Sequence, residues 1–133
     1  MFDQKIIQIL GPDAKFHHIG MAVKDFSELP HPVSIQYDDP VQKVRVAFVD
    51  LNGAKIEYIQ PIQDDSPVSN SIKKGHKLVH LCFEVKSIEQ SIASARKNGF
   101  SVISKPVPAV AFDQKKIVWL YSRVLGLIEL VEI

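Results

Sequence analysis

The sequence states one unit twice, and no other feature constrains its fold as tightly. The run Leu78-Val79-His80-Leu81-Cys82-Phe83-Glu84-Val85 alternates like a half-buried β-strand, then turns at Lys86-Ser87 into a short amphipathic stretch ending at Asn98-Gly99. The same opening stands earlier as His17-His18-Ile19-Gly20-Met21-Ala22-Val23-Lys24. At one constant offset His18 matches His80, Val23 matches Val85 and Lys24 matches Lys86. Each copy is followed, one long segment later, by an apolar run carrying a glutamate. These runs are Lys55-Ile56-Glu57-Tyr58-Ile59 and Leu127-Ile128-Glu129-Leu130-Val131. The chain therefore reads His, Glu, His, Glu.

The segments between these landmarks give each copy the order βαβββ. In the second copy Ser87 is an N-cap with Gln90 three residues on, Ile88, Ile92 and Ala95 form an apolar stripe, and Gly99 supplies a left-handed stop. Strands are expected at residues 100–104, 116–121 and 126–132, with a loop or edge around Pro106-Val107-Pro108. In the first copy the strand at 16–23 puts His18, Gly20 and Ala22 on one face, with His17, Ile19, Met21 and Val23 on the other. Pro30-His31-Pro32 then allows little more than one helical turn, so this copy's helix is shortened. Residues 33–37 read as a strand, Asp38-Asp39-Pro40 as a turn and 43–49 as a strand. Asn52-Gly53 marks a hairpin into the strand that carries Glu57 and ends at Pro61. Residues 62–77 read as a polar linker. Ahead of the first copy, Ile6, Ile7 and Leu10 suit a short helix or a strand, stopped by Gly11-Pro12. The expected organisation is a single domain over 1–133, with module 1 at about 16–61, the linker at 62–77 and module 2 at about 78–133.

Composition narrows the partners. Sixteen Lys and Arg against fifteen Asp and Glu leave a formal net charge of +1 with no basic stripe, which argues against nucleic acid or a membrane as the main partner. A small molecule is the expected ligand. A single cysteine, Cys82, forms no internal disulfide, and the sequence carries no signal peptide or long apolar span. A reduced, cytoplasmic protein is expected. The face left bare by the shortened helix is expected to be covered by residues 1–10 or by a second subunit, hence a homodimer.

The four repeated residues carry the chemistry. A carboxylate set among apolar neighbours, as Glu57 and Glu129 are, costs several kcal/mol unless something compensates its charge. A lone histidine on a strand is ordinarily a hydrogen-bonded structural residue, and a lone glutamate there ordinarily faces solvent. The same pair recurring in the same order is harder to explain that way. If the copies pack side by side, His18, Glu57, His80 and Glu129 converge as a mixed nitrogen and oxygen set suited to a divalent first-row metal. Open positions on such a metal would take two neighbouring oxygens of a substrate. Cys82 reads as a small apolar filler, Glu84 as lying beyond its strand's middle, and His31 and His76 as solvated loop residues. Trp119 and Phe112 read as core or as pocket lining.

These residues also carry a resemblance. The strings His17-His18-Ile19-Gly20-Met21-Ala22-Val23, Gly53-Ala54-Lys55-Ile56-Glu57-Tyr58-Ile59-Gln60-Pro61, Asp65-Ser66-Pro67-Val68, Val79-His80-Leu81-Cys82-Phe83-Glu84-Val85 and Gly126-Leu127-Ile128-Glu129-Leu130-Val131-Glu132 resemble the vicinal oxygen chelate superfamily. They are most similar to its methylmalonyl-CoA epimerase and glyoxalase I-like members. The resemblance implies an α+β fold, two βαβββ modules forming a cupped, partly closed mixed β-sheet. It implies a divalent ion (Co, Ni, Mn, Zn or Fe) held by His18, Glu57, His80 and Glu129. The implied activity is that of an isomerase or lyase of the glyoxalase or methylmalonyl-CoA epimerase type, moving a proton α to a carbonyl or thioester through a metal-stabilised enolate. Glu129 would be the base and Glu57 the second catalytic carboxylate, and the substrate an acyl-CoA or similar compound. The alternative is a non-catalytic small-molecule binding or resistance-type module of the same fold. The chain departs from the epimerase pattern at Val46, where some epimerases carry a further glutamate. It departs again at Pro30-His31-Pro32, and at residues 107–113, which lack a glycine-rich turn.

Overall fold

The computed structural model describes residues 5–133, and its contacts cluster into two compact units. One is formed by residues 18–80, the other by the described part of residues 1–17 with residues 81–133. The architecture is α+β with mixed sheets and few helices, and no described helix is long and apolar enough to cross a membrane.

In the unit of residues 18–80, β1 (Lys15–Ala22, which enters it at His18) pairs in parallel with β4 (Ala54–Pro61). Antiparallel pairing continues from β4 to β3 (Val44–Leu51) and on to β2 (Tyr37–Asp39). The hairpin between β3 and β4 turns at Asn52-Gly53, both left-handed at φ 57° and 93°, as an Asn-Gly turn requires. Beyond it, Asp38 on β2 accepts two bonds from Arg45 opposite on β3, from Nε at 2.6 Å and Nη2 at 3.1 Å. That donation holds the Asp38 carboxyl below its usual range. The strand expected at 33–37 is displaced: only Tyr37 of it is extended, and the expected turn residues Asp38 and Asp39 complete β2. The linker is also not featureless. Pro67–Lys73 forms a helix, α1, with proline at its first turn and no buried residue, which explains why no apolar stripe announced it.

The shortened helix of this copy is a single 3₁₀ turn, Phe26–Glu28, capped by Asp25, whose carboxylate accepts the Ser27 N–H at 2.8 Å. The apolar face behind it is not bare. Phe26, Leu29 and Val33 pack against Ile19, Met21, Val23, Ala47, Ile56 and Tyr58, and His31 bonds the Tyr58 hydroxyl at 3.0 Å through Nε2. Two expectations are thereby corrected. His31 is a packing residue rather than a solvated one, and the prolines shape a loop that does the covering expected of residues 1–10. Leu10 instead ends a 3₁₀ segment, Lys5–Leu10, that packs against the helix of the second copy. Residues 1–4 of that expectation lie outside the described residues.

In the other unit, β5 (Leu78–Val85, which enters it at Leu81) pairs in parallel with β9 (Gly126–Glu132) after the helix α2 (Ile88–Lys97). From β9 the sheet continues antiparallel to β8 (Lys116–Ser122), which pairs with the two-residue strands β6 (Ser101–Val102) and β7 (Val107–Pro108). The strand expected at 100–104 shrinks because Phe100 closes the helix: its N–H reaches Ala95 O at 3.1 Å, Gly99 turns left-handed at φ 87°, and the ring is buried. One face of this sheet packs Val85, Val118, Leu120, Ile128 and Leu130 under α2. The other carries Cys82, Ile117 and Val131, with Phe112 and Trp119 partly buried against them.

The N-terminus of α2 is capped twice. Ser87 Oγ accepts the Gln90 N–H at 3.3 Å, and the Glu132 carboxylate, from the end of β9, accepts the Ile88 N–H at 2.9 Å. The second bond ties helix to sheet and sets an anion at the positive end of the helix. Replacing Glu132 with alanine should lower the unfolding free energy by about 1–2 kcal/mol, measured as a shift of the urea midpoint at constant m. An unshifted midpoint would show that the bond contributes nothing.

Candidate metal centre

Three of the repeated side chains meet inside the unit of residues 18–80. β1 sets His18 and Gly20 on the face opposite Ile19 and Met21, and parallel pairing places Glu57 directly across from Gly20 on β4. His18 is 0% exposed, Glu57 and His80 5% each, so all three are withdrawn from water. His18 Nε2 lies 3.1 Å from His80 Nε2, and Glu57 Oε1 lies 3.6 and 3.7 Å from the two nitrogens. The rings are nearly perpendicular at 78° with centroids 5.2 Å apart, so both nitrogens address one point from different directions.

These distances test whether a metal fits. A point equidistant from three atoms so spaced lies about 2 Å from each, which is the length of a bond from a divalent ion to an imidazole nitrogen or a carboxylate oxygen. Lone pairs on three such atoms repel one another unless a proton or a cation lies between them. The donor set, two imidazoles and a carboxylate, suits a divalent first-row ion. By distance, burial and chemistry the residues fit a metal.

Two residues that shape this point, Gly20 and Phe48, carry no chemistry of their own that the sequence pattern would single out. Gly20 is one: a Cβ built there would lie 2.1 Å from His80 Cε1 and 2.7 Å from Nε2, so the imidazole occupies the space any side chain at position 20 would need. A glycine inside a strand is the available signal for so close an approach. Phe48 is the other. Its ring meets His18 edge-on at 5.3 Å and 76°, and it stands opposite Glu57 in the register of β3 and β4. Val46, two residues along the same strand, is 5% exposed and adds no charge.

Glu129 belongs to the other unit. It stands on β9 at 3% exposure, between Cys82 on β5 and Trp119 on β8 in the strand register. Cys82 is fully buried in the apolar cluster on that face, in keeping with a filler role. His17 and Glu84 approach at 3.6 Å in the same unit, and the His17 ring meets Phe112 edge-on at 5.5 Å. His76 is exposed. The loop from Ala109 to Lys115 is closed by its own backbone: Ala109 N–H donates to Lys115 O at 3.0 Å and Gln114 N–H to Ala109 O at 3.0 Å. It places two non-glycine residues in succession in the left-handed region, Asp113 at φ 53° and Gln114 at φ 65°, at a cost of roughly 1 kcal/mol or more each. The chain thus makes with Asp and Gln a turn that glycines make without strain.

A Gly20→Ala variant should keep its strands and lose the site's geometry, because the added methyl displaces the His80 ring. Divalent ion affinity, read by calorimetry with Co, Ni, Mn or Zn, should fall at least tenfold. Undiminished affinity in a folded variant would mean that His80 takes no part in binding.

Comparison with known proteins follows the same lines. The family model described as Glyoxalase/Bleomycin resistance protein/Dioxygenase superfamily matches residues 17–119. The chain is 27% identical over 130 residues to the mitochondrial methylmalonyl-CoA epimerase of Dictyostelium discoideum, covering 89% of this chain and 78% of that one. It is 30% identical over 118 residues to an uncharacterized protein of Bacillus subtilis, covering 82% and 84%. Among solved structures, a hypothetical protein from Bacillus halodurans superposes with a TM-score of 0.74 at 29% identity, covering 91% of this chain and 95% of that chain. A methylmalonyl-CoA epimerase in complex with methylmalonyl-CoA superposes with a TM-score of 0.72 at 21% identity, over 90% and 94%, a likeness of fold. With the family model spanning most of its length, the chain belongs to the glyoxalase/bleomycin resistance protein/dioxygenase superfamily, the vicinal oxygen chelate fold.

Proposed function

We propose that the protein is a metal-dependent isomerase or lyase that moves a proton on the carbon next to a carbonyl or thioester, with an acyl-CoA or similar thioester as substrate. The observation that carries this reading is the buried triangle of His18 Nε2, His80 Nε2 and Glu57 Oε1. In this reading those three side chains hold a divalent ion, and Glu129, the counterpart of Glu57 in the repeat, is the fourth ligand. When bound, the ion supplies Lewis acidity toward two neighbouring oxygens of the substrate. The rest falls to the chain. From its place between Cys82 and Trp119, Glu129 takes the α-proton, and after exchange with solvent a proton is returned to carbon from Glu129 or from the second carboxylate. Glu57 orients the two imidazoles and is the second carboxylate available for proton transfer. The relatives named methylmalonyl-CoA epimerase support the choice of substrate class. A homodimer is part of the same proposal, supported by apolar side chains left exposed, among them Ile35 and Val41; light scattering at micromolar concentration checks it.

Two measurements test the reading. Metal analysis of the purified protein should find about one divalent ion per chain, and His80→Ala should remove most of it. Glu129→Gln keeps the shape and loses the basicity. Solvent-deuterium exchange at the α-carbon of a 2-alkylmalonyl thioester should then drop roughly a hundredfold or more, with the fold intact. Exchange that persists in Glu129→Gln moves the base to Glu57. Exchange that never occurs in the unmodified, metal-loaded protein leaves a binding function in place of an enzyme.

A further inference from the structure

We propose that the loop after α1 is a phosphate-binding site, in which Lys73, Lys74, His76 and Lys77 hold the nucleotide end of the substrate. It rests on the reading of that substrate as an acyl-CoA. Three lysines and a histidine stand within five residues here, and from Ser66 to Phe83 the sequence has no aspartate or glutamate. All four side chains belong to exposed residues. Elsewhere Lys43, Arg45 and Lys86 lie against carboxylates, those of Asp65, Asp38 and Asp13. The three lysines of this loop lie against none among the described residues. On a chain whose formal net charge is +1, the loop is a local excess of positive charge.

Helix electrostatics account for one of these cations. Lys73 closes the last turn of α1, where the negative end of the helix dipole favours a lysine. Lys74, His76 and Lys77 follow that turn, and the backbone that carries them is fixed. Lys74 N–H donates to Asn70 O at 3.1 Å, Gly75 N–H to Ile72 O at 3.0 Å and His76 N–H to Ser71 O at 2.8 Å, with Gly75 left-handed at φ 74°. Like charges gathered on a fixed backbone repel one another, a cost that a bound anion removes. The loop is also tied to the strands of the metal centre. Ala22 N–H donates to Lys77 O at 2.7 Å, and Ala22 lies two residues along β1 from Gly20, the residue opposite Glu57. Lys77 directly precedes β5 and stands three residues ahead of His80, about 10 Å at the rise of a strand. The pantetheine arm between the acyl group and the phosphates of coenzyme A is longer than that, so one molecule reaches both places. Its 3′-phosphate and pyrophosphate concentrate negative charge in a short span, which suits lysines acting as point charges.

Binding is read by calorimetry on the full chain, apart from turnover, with CoA, 3′-dephospho-CoA and 3′,5′-ADP as probes. The unmodified protein should bind CoA more weakly as salt is raised, as contacts between exposed lysines and phosphates require. Removing the 3′-phosphate should weaken binding by about threefold or more. Changing Lys74 and Lys77 together to glutamate should weaken CoA and 3′,5′-ADP by roughly tenfold or more, and glutamine at both positions should give a smaller loss in the same direction. The control reverses the same number of charges elsewhere, Arg96→Glu with Lys97→Glu in the last turn of α2, and should leave CoA affinity as it was. An equal loss in the control overturns the proposal, because attraction would then follow net charge alone. CoA affinity unchanged within about twofold in the folded glutamate or glutamine variant overturns it too, as does failure of the unmodified protein to bind CoA and 3′,5′-ADP. α-Deuterium exchange on an acyl-CoA at undiminished affinity in the glutamate variant would strike the loop and keep the proposed chemistry. CoA held by this loop in a protein that exchanges no deuterium would strike the chemistry and keep the loop.

Discussion

The structure of residues 18–80 is arranged around a buried carboxylate set against two imidazoles. Glu57 lies within 3.7 Å of two imidazole nitrogens at 5% exposure, with Phe48 opposite it on β3. Removing a carboxylate from water costs several kcal/mol after relaxation, and it must be compensated by what surrounds it. Each nearby feature makes sense as an accommodation to this arrangement. The parallel pairing of β1 and β4 brings Glu57 level with Gly20, the bare glycine admits the His80 ring, and Phe48 holds the His18 ring from the side. A bound cation would compensate the charge, and the same desolvation would strengthen its hold on the three ligands.

Much of this was legible because the decisive signals are local or duplicated. β5 and β9 run as their alternation and turn residues indicate, and α2 begins at the Ser87 cap and closes through Gly99 as its sequence requires. The proposed metal ligands showed through the repeat, since no single histidine or glutamate would have pointed to them. What the sequence hid depends on tertiary packing. The helix Pro67–Lys73 buries nothing, so it left no periodic pattern. Phe100 reads as the start of a strand and in fact serves the helix before it, a choice made by the core around Ala95. The bond from His31 to Tyr58 joins residues whose proximity no spacing rule predicts.

The two copies have diverged in how they cover their sheets. The second uses a ten-residue helix, capped by Ser87 and by the Glu132 carboxylate. The first uses a single turn and a proline-rich loop, with Phe26, Leu29 and Val33 in the place of a helical stripe. Both solutions bury an apolar face. The loop does so with fewer internal hydrogen bonds, so this copy relies more on side-chain packing and less on backbone bonding.

Gly20 carries an implication for the history of the chain. In the repeat its counterpart is Cys82, and the two positions cannot exchange residues. A cysteine at position 20 would drive its Cβ to 2.1 Å from the His80 ring. A protein assembled from two identical copies of either present-day half would carry one residue at both places, and a bulky choice would close off the position the second imidazole now takes. Position 20 must carry glycine for both histidines to turn toward Glu57, whatever its counterpart carries. The halves are therefore complementary parts, and a swap of residues 17–24 with 79–86 would not restore the original protein.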